Sequence, residues 1–212
     1  MITLDRETYM KRRYRRVQSL VNRREQGLVR GLLGRIDPPP ARILDIPSGH
    51  GRFTHQFRAA ARDNVTCSDL WQRHLDAIAA AESPEGTPLI LRQADLLGRL
   101  PFEDREFDLV FDFRLFQHLA EPEKRRHVAA ELVRVARRHL IVSYYRTPSL
   151  HAAQQVLRRV IRRRKYKVQF ERAADFQALF TDLGCRVRGE WGVLPMVHAQ
   201  RVLWLDAPPP RV

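Results

Sequence analysis

The stretch from Ile43 to Phe57, which reads Ile-Leu-Asp-Ile-Pro-Ser-Gly-His-Gly-Arg-Phe-Thr-His-Gln-Phe, decides the fold of this chain. It begins as a short apolar run around Asp45, turns through residues 47–51 and continues with helical spacing, which predicts a buried strand, a tight turn and a helix N-terminus. Gly49 and Gly51 let a ligand approach the main chain closely, and the helix N-terminus offers unpaired N–H donors. The stretch therefore predicts a site for a small polar cofactor.

Thr54 separates two classes of cofactor that bind at such a turn. The dinucleotide-binding fingerprint places a third glycine three residues after the second, where helix and strand touch, and this chain has Thr54 there. The chain also lacks a recognisable set of hydride-transfer residues. Both observations disfavour an NAD-binding oxidoreductase, which stays an alternative.

The stretch resembles instead the first motif of the class I S-adenosylmethionine-dependent methyltransferases, an acid followed at fixed spacing by a glycine-rich turn. Asp45, Gly49 and Gly51 match that motif, whereas Pro47 stands where its first glycine normally lies. The resemblance implies that S-adenosylmethionine is the cofactor and that these four residues line its site. The alternative for Pro47 is that it marks a decayed site without catalysis.

Length and composition predict one well-buried domain, since the chain has 212 residues of which 44% are hydrophobic. No apolar run approaches the roughly 18 residues of a membrane-spanning helix, and residues 1–16 lack the apolar core of a signal peptide. Cys67 and Cys185 lie far apart in apolar runs, which indicates buried free thiols in a reducing compartment. We therefore expect a cytoplasmic protein with no transmembrane segment.

The formal net charge of +14 favours anionic partners. Of the 38 basic residues 34 are arginine, a bias that a GC-rich genome produces without selection for binding. The distribution is more informative, because residues 1–35 contain ten basic and three acidic side chains and residues 158–167 contain seven basic and no acidic ones. Each cluster either contacts a substrate or only solvates a helix face.

Residues 5–33 are strongly charged but carry apolar residues at helical intervals, which predicts one or two amphipathic helices. Gly34 and the prolines at 38–40 end them, so we divide the chain into an N-terminal helical cap, 1–37, and a core domain, 41–207. In the resembled class such a cap often covers cofactor and substrate, which implies a substrate contact for Tyr14 and makes Tyr9 and Arg15 candidates. A surface helix anchored by an aromatic residue is the alternative.

The second strand, Val65 to Leu70, contains Asp69 at its end, 24 residues after Asp45. Nucleotide sites of α/β proteins place there a carboxylate that accepts hydrogen bonds from a ribose diol. The resemblance implies the same role for Asp69, with Leu70 and Trp71 beside the adenine. The alternative is that Asp69 caps the helix predicted for residues 71–81.

The third strand, Leu89 to Leu91, is followed by a segment that resembles the family's adenine-binding segment. The resemblance implies that Asp95 accepts a hydrogen bond from the exocyclic amine of adenine and that Leu96 packs on the ring. A loop carboxylate left in solvent is the alternative for Asp95.

Residues 106–119 resemble the family's fourth motif, an apolar strand followed by an aromatic turn and a His-Leu pair. Asp112, Phe113 and Arg114 fall at the strand end, the edge where parallel α/β sheets bind ligands. We expect Phe113 to pack against the sulfonium and its methyl group and Arg114 to contact the substrate. For an oxygen nucleophile, Asp112 or His118 would accept the proton; a local hydrogen bond at a helix start is the alternative for His118.

A helix over residues 121–138 and a strand over residues 139–145 are predicted next. In the resembled class the residues after this strand approach the substrate, which implies substrate contacts for Tyr144, Tyr145 and Arg146. Core packing of the two aromatic residues is the alternative. A helix at 173–183 and strands at 185–191 and 197–205 complete the pattern.

Residues 149–168 form a basic helical insert, in which an apolar stripe at helical spacing ends in a run of arginines and lysines. Such a helix can lie on an acidic membrane, bind a phosphorylated substrate or bind nucleic acid. Because the resembled class varies at this position to choose substrates, we expect an anionic acceptor, a phosphorylated or lipid-linked cell-envelope glycan or lipid precursor. Peripheral contact with the inner face of the membrane is part of this expectation.

The order of strands, helices and motifs predicts an α/β protein with a doubly wound, Rossmann-like sheet of about seven strands, the last antiparallel. The predicted function is methyl transfer from S-adenosylmethionine. RNA methylation is the runner-up, although the Asn-Pro-Pro-Tyr type of motif used for flipped bases is absent. A basic module that binds the cofactor or nucleic acid without catalysis is a further alternative. The histidines and cysteines show no zinc spacing, so no metal is expected.

Overall fold

The computed structural model describes residues 6–147, 168–194 and 198–210, and in the first helix it describes side chains from residue 19 onward. The predicted basic insert therefore lies outside the described residues, except for its last position. The side chains of Tyr9, Tyr14 and Arg15 lie outside them as well, so their predicted substrate contacts stay predictions.

Seven strands form a single sheet. They are β1 Arg42–Asp45, β2 Asn64–Asp69, β3 Leu89–Gln93, β4 Phe107–Asp112, β5 Ala136–Tyr145, β6 Arg186–Gly192 and β7 Gln200–Asp206. Their order is β3-β2-β1-β4-β5-β7-β6. The first five strands are parallel to one another, and β7 runs antiparallel to both of its neighbours. The predicted doubly wound sheet with an antiparallel last strand is confirmed.

The helices connect the strands in the order that the sequence predicts. They are α1 Arg6–Leu33, α2 Thr54–Ala60, α3 Gln72–Ala81, α4 Pro122–Val135 and α5 Ala173–Thr181. The N-terminal segment is one continuous helix of 28 residues. The helix predicted for 121–138 ends at Val135, because Ala136 pairs with Phe107 and already belongs to β5.

Two hydrophobic clusters cover opposite faces of the sheet. Along β4, Leu109 and Phe111 belong to the cluster under α1, α2 and α3, whereas Val110 belongs to the cluster under α4 and α5. This alternation follows from the period of two along a strand. The second half of α1 joins the first cluster through Val29 and Leu32, which are almost wholly buried. This half of α1 therefore packs against the sheet as part of the core.

The parallel register brings the carboxyl ends of β1, β2 and β4 to one edge of the sheet. Asp45, the last residue of β1, pairs with Cys67 of β2 and with Phe111 of β4. The turns that follow these three strands are therefore neighbours, and ligands of doubly wound sheets bind at this edge. Within the described part of the chain, no helix is long and apolar enough to cross a membrane.

Candidate active site

Three acids end three neighbouring strands at this edge: Asp45 on β1, Asp69 on β2 and Asp112 on β4. All three side chains are buried. Burial raises the pKa of Asp45 well above its usual value, and the nearby carboxylate of Asp69 raises it further. Burial likewise raises the pKa of Asp112, and Asp45 adds to that effect. At this edge the protonated, neutral forms of Asp45 and Asp112 are therefore favoured until a positive charge lies beside them.

Asp112 is the most isolated of the three acids. Within the part of the chain that the structure describes, neither of its carboxylate oxygens has a hydrogen-bond partner. Ionising a buried, unpaired carboxyl is costly, so the protonated form is favoured. A protonated Asp112 cannot accept a proton, and its predicted catalytic role requires a ligand that stabilises its charge.

The two glycines of the turn after β1 have different surroundings, although both have positive φ angles, 53° at Gly49 and 72° at Gly51. A Cβ atom at Gly51 would lie 2.7 Å from Cγ1 of Ile78 and 2.8 Å from Oγ1 of Thr54. At Gly49 no atom lies within 4 Å of the corresponding position. Gly51 thus allows the turn to pack against α3, whereas Gly49 leaves open space for a ligand.

Two main-chain donors of this turn are already paired within the protein. The N–H of Ser48 donates to the carbonyl of Ser68 over 2.9 Å. The N–H of Gly49 donates to Oδ2 of Asp69 over 2.8 Å. The buried hydroxyl of Ser48, in contrast, has no partner among the described residues. Ser48 is a candidate ligand-binding residue that the sequence interpretation did not select.

Asp69 connects the glycine turn to α3. Its Oδ1 accepts a hydrogen bond from the N–H of Trp71 over 3.0 Å. The same oxygen lies 2.9 Å from Nδ1 of His74. This contact with Trp71 lies just before the helix and is a local turn; it does not cap α3, whose N-cap residue Trp71 has no side-chain cap. Among the residues that the structure describes, Oδ2 accepts a hydrogen bond from the Gly49 N–H alone, so it keeps a lone pair for a further donor. The ribose contact therefore stays a prediction that the geometry permits.

The predicted adenine contacts fall into exposed and buried residues. Leu70 and Trp71 are large apolar side chains that stay about half exposed beside Asp69, as a binding surface for a flat ring requires. Leu96, in contrast, is packed in the hydrophobic cluster under α4 and α5. The sequence analysis predicted that it packs on the adenine ring. The exposed apolar side chain of that segment is Leu97, and Asp95 is an exposed acid whose Oδ1 accepts the Leu97 N–H over 2.8 Å.

Phe113 and Arg114 follow β4 directly. The Phe113 ring stacks on Phe111 with centroids 5.4 Å apart and meets Phe53 edge-on at 5.0 Å. Nη2 of Arg114 lies 2.7 and 2.9 Å from the two carboxylate oxygens of Glu25 on α1. Nε of Arg114 is buried and has no partner among the described residues. Arg114 therefore brings positive charge and one unused donor next to Phe113.

His118 ends a short 3-10 turn, Phe116–His118. Partial burial of its ring lowers its pKa, and the positive charge of Arg114 lowers it further. His118 is therefore neutral at neutral pH and able to accept a proton. Its Nε2 lies 3.4 Å from Nε2 of Gln117.

The three predicted substrate residues at the end of β5 lie in different surroundings. Tyr144 is fully buried, stacks on Phe176 at 4.1 Å and donates its hydroxyl to Oε2 of Glu190 over 2.8 Å. This position matches the core-packing alternative. Tyr145 and Arg146 are only partly buried, and Arg146 pairs with Glu190 over 3.2 Å. Their substrate contacts stay predictions.

Glu25 is the residue near this edge that the sequence interpretation missed. Glu25 lies between Val21 and Val29 on the buried stripe of α1. It is fully buried, and unlike these two neighbours it is charged. Its carboxylate pairs with Arg52 and Arg114. The sequence signal that could have identified Glu25 was its spacing of four residues from each valine in a helix whose charged residues are mostly basic.

Residues 43–139 match the family model of a methyltransferase domain. Among solved structures, the magnesium protoporphyrin IX methyltransferase of Synechocystis PCC 6803 with bound S-adenosylhomocysteine is similar, with 18% identity over 90% of this chain and 86% of that chain and a TM-score of 0.72. An S-adenosylmethionine-dependent methyltransferase from Methanosarcina mazei is 14% identical over 84% of this chain and 96% of that chain, with a TM-score of 0.68. A [4+2]-cyclase, SpnF, is 12% identical over 86% of this chain and 80% of that chain, with a TM-score of 0.66.

These findings show a methyltransferase domain within the chain and the fold to which it belongs. At identities below 25% the structural likeness establishes the fold, and the similar cyclase shows that the fold alone does not fix a reaction. The matched methyltransferase domain spans β1 to the start of β5 and contains the glycine turn and all three acids. The chain thus contains a methyltransferase domain at residues 43–139, and its described residues have the fold of S-adenosylmethionine-dependent methyltransferases. Within the described residues, no group of three or more potential metal ligands occurs.

Proposed function

We propose that this methyltransferase transfers the methyl group of S-adenosylmethionine to an anionic acceptor, a phosphorylated or lipid-linked glycan or lipid precursor of the cell envelope. The observation that carries the proposal is Arg114, whose guanidinium lies next to Phe113 and keeps a buried Nε without a partner among the described residues. A guanidinium donor recognises phosphate or carboxylate oxygens.

The residues at the edge fit the cofactor in charge and in shape. S-adenosylmethionine carries an ammonium group and a sulfonium, and positive charge is what the buried carboxyls of Asp45 and Asp112 lack. The open space at Gly49 and the free Ser48 hydroxyl suit its methionine part. Asp69, Leu70 and Trp71 suit the ribose and the adenine, and the exposed Asp95 and Leu97 are further candidates for the adenine.

The methyl group is already activated when the cofactor binds, so the protein mainly aligns the attacking atom and excludes water. The aromatic group of Phe53, Phe111 and Phe113 provides the dry surface for that task. If an oxygen attacks, a neutral His118 accepts its proton. Asp112 does so only after the positive charge of the cofactor has favoured its ionised form.

The acceptor class rests on the positive charge of the chain as well as on Arg114. Arg146 adds a partly exposed guanidinium at the end of β5. The seven basic residues at 158–167 follow it in sequence and suit phosphate groups or an acidic membrane surface. Peripheral binding at the inner face of the membrane belongs to this proposal.

A methyl-transfer assay with two acceptor preparations tests the proposal. The protein is incubated with S-adenosylmethionine labelled in the methyl group and with either lipid-linked glycan precursors in anionic vesicles or total RNA. Label that enters the organic phase with the lipid-linked fraction supports the proposal. Arg114→Lys keeps the charge but loses the planar fork, so we expect it to raise KM for the acceptor.

Other outcomes of the assay contradict the acceptor class. Label in RNA alone would favour RNA methylation, the runner-up from the sequence. Binding of the cofactor without label in either preparation would overturn the proposed acceptor. A protein that binds RNA with a steep salt dependence but does not bind S-adenosylmethionine would instead be a non-catalytic basic module.

A further inference from the structure

The carboxylate of Glu25 lies fully buried between α1 and the two turns that follow β1 and β4. It pairs with Arg52, which follows the glycine turn, and with Arg114, which follows β4. The side chain of Glu25 has no exposed surface, whereas the arginine side chains are 27% and 35% exposed. One carboxylate of the helix thus holds the two turns that border the proposed cofactor site.

Two neighbours of Glu25 on the same face of α1 hold the first turn in place. Oδ1 of Asn22 accepts a hydrogen bond from Nε of Arg52 over 2.8 Å. Nε2 of Gln26 donates to the carbonyl of Arg52 over 2.9 Å. Residues 22, 25 and 26 lie on one face of α1 because of their spacing, and each of them contacts Arg52. The guanidinium of Arg52 also lies 5.0 Å from the centre of the Phe53 ring and 5.9 Å from that of Phe113.

Arg114 reaches Glu25 from a backbone conformation that is unfavourable for arginine, with φ at 68°. Two hydrogen bonds hold this conformation: its N–H donates to Oγ of Ser143 over 2.8 Å, and its carbonyl accepts from Nε2 of Gln117 over 2.8 Å. A strained residue that its surroundings fix in this way indicates a functional constraint. Here the constraint directs the guanidinium toward α1.

We propose that Glu25 is a positioning residue that closes α1 over the bound cofactor and so controls how fast the cofactor and its product exchange. This inference rests on the cofactor site proposed above. Opening α1 would break the charge-assisted pairs of Glu25 with both arginines and expose the buried side chain of Val21 to water, which is unfavourable. The closed helix keeps Arg52 and Arg114 in place beside Phe113, and a ligand between the two turns leaves only when the contact opens.

The dissociation rate of S-adenosylhomocysteine, measured by surface plasmon resonance on the full chain, tests the inference. Glu25→Gln keeps the size of the side chain and removes its charge, and we expect dissociation to become about tenfold faster or more, since interface changes act mainly on dissociation. Glu82→Gln is the matched control, because it breaks the pair between Glu82 and Arg58 away from α1. The control should unfold at a lower temperature and leave the dissociation rate unchanged.

Three further outcomes are distinguishable. A Glu25→Gln protein that unfolds earlier but releases S-adenosylhomocysteine at the rate of the unmodified protein would overturn the inference, as would equal acceleration in the Glu82→Gln control. Glu25→Asp restores the charge and should recover part of the slow dissociation. If Glu25→Gln does not fold, Arg52→Lys tests the same contact, and an unchanged rate there overturns the inference. An unmodified protein that does not bind the probe contradicts the proposed cofactor site instead.

Discussion

Asp112 shows how the surroundings of one side chain change its chemistry. An exposed aspartate is ionised at neutral pH, but burial and the nearby Asp45 favour the protonated form of Asp112. Its pKa is therefore higher in the folded chain than the value of about 3.9 in an unfolded chain. Folding takes up a proton between these two pKa values, so the free energy of unfolding falls as the pH rises through that range.

Asp112→Asn should therefore stabilise the protein without its cofactor at pH 7, because asparagine carries no charge that must be neutralised. We expect the free energy of unfolding at pH 7 to be higher than that of the unmodified protein, and this difference to shrink as the pH falls toward 4. Urea unfolding of both proteins between pH 4 and pH 7 measures this difference in the free energy of unfolding. Asp63→Asn, at an exposed acid, is the control and should change stability by less than about 0.5 kcal/mol. An Asp112→Asn protein that is less stable at pH 7 would contradict this account.

The two glycines of the turn should respond differently to alanine. Gly51→Ala forces a Cβ against Ile78 and Thr54 at positive φ, so we expect a loss of more than about 2 kcal/mol in the free energy of unfolding. Gly49→Ala meets no atom and should lose only about 1 to 2 kcal/mol for its φ. The added methyl group at position 49 nevertheless occupies the open space, and calorimetry should show weaker binding of S-adenosylmethionine. Equal stability losses with unchanged binding at position 49 would refute the distinction.

Residue types and spacing predicted the acids and the turn, but they could not predict the direction of every side chain. Asp45, Asp69 and Asp112 were found because each ends a recognisable strand. Leu96 and Tyr144 belong to the core cluster under α4 and α5, and this packing could not be predicted because the local sequence does not contain it. Their contacts with adenine and substrate stay predictions. Glu25 was missed because its partners lie 27 and 89 residues away.

At the scale of elements, α1 combines a buried apolar stripe with the charged contact at Glu25. The strand and helix pattern of the core was predictable because its hydrophobic periods of 2 and 3.6 are clear. Boundaries were less predictable: Ala136 to Arg138 suit a helix by composition, but pairing with β4 makes the first of them a strand residue. The continuity of α1 was undecided from the sequence, since charged residues interrupt its stripe.

Leu32→Ala tests whether α1 stabilises the core. Leu32 is 1% exposed, and we expect its truncation to lower the free energy of unfolding by about 2 to 5 kcal/mol. Leu20 is the matched control on the same helix, since it is 50% exposed, and Leu20→Ala should change stability by less than about 0.5 kcal/mol. Denaturant unfolding measures both variants. Similar effects at the two positions would show that α1 is not packed on the sheet as described.

At the scale of the whole molecule, the net charge of +14 overstates the positive surface that is free to bind an anion. Several arginines have partners inside the protein. Arg58 binds Glu82 and the carbonyls of Ser83 and Thr87, and Arg134 binds Glu131 and the carbonyls of Leu100 and Phe102. The composition alone therefore could not predict the partner. The topology could be predicted, because the order of motifs along the chain constrains which strand ends meet.

The most direct test of the cofactor site is calorimetric titration of the purified protein with S-adenosylmethionine, with NADH as the control ligand. We expect binding of one S-adenosylmethionine per chain and none of NADH. Asp69→Ala should abolish binding, and Trp71→Ala, at a half-exposed side chain, should weaken it while the thermal unfolding midpoint stays unchanged. A folded protein that does not bind S-adenosylmethionine, or binds it equally well in both variants, would contradict the site at the ends of β1, β2 and β4.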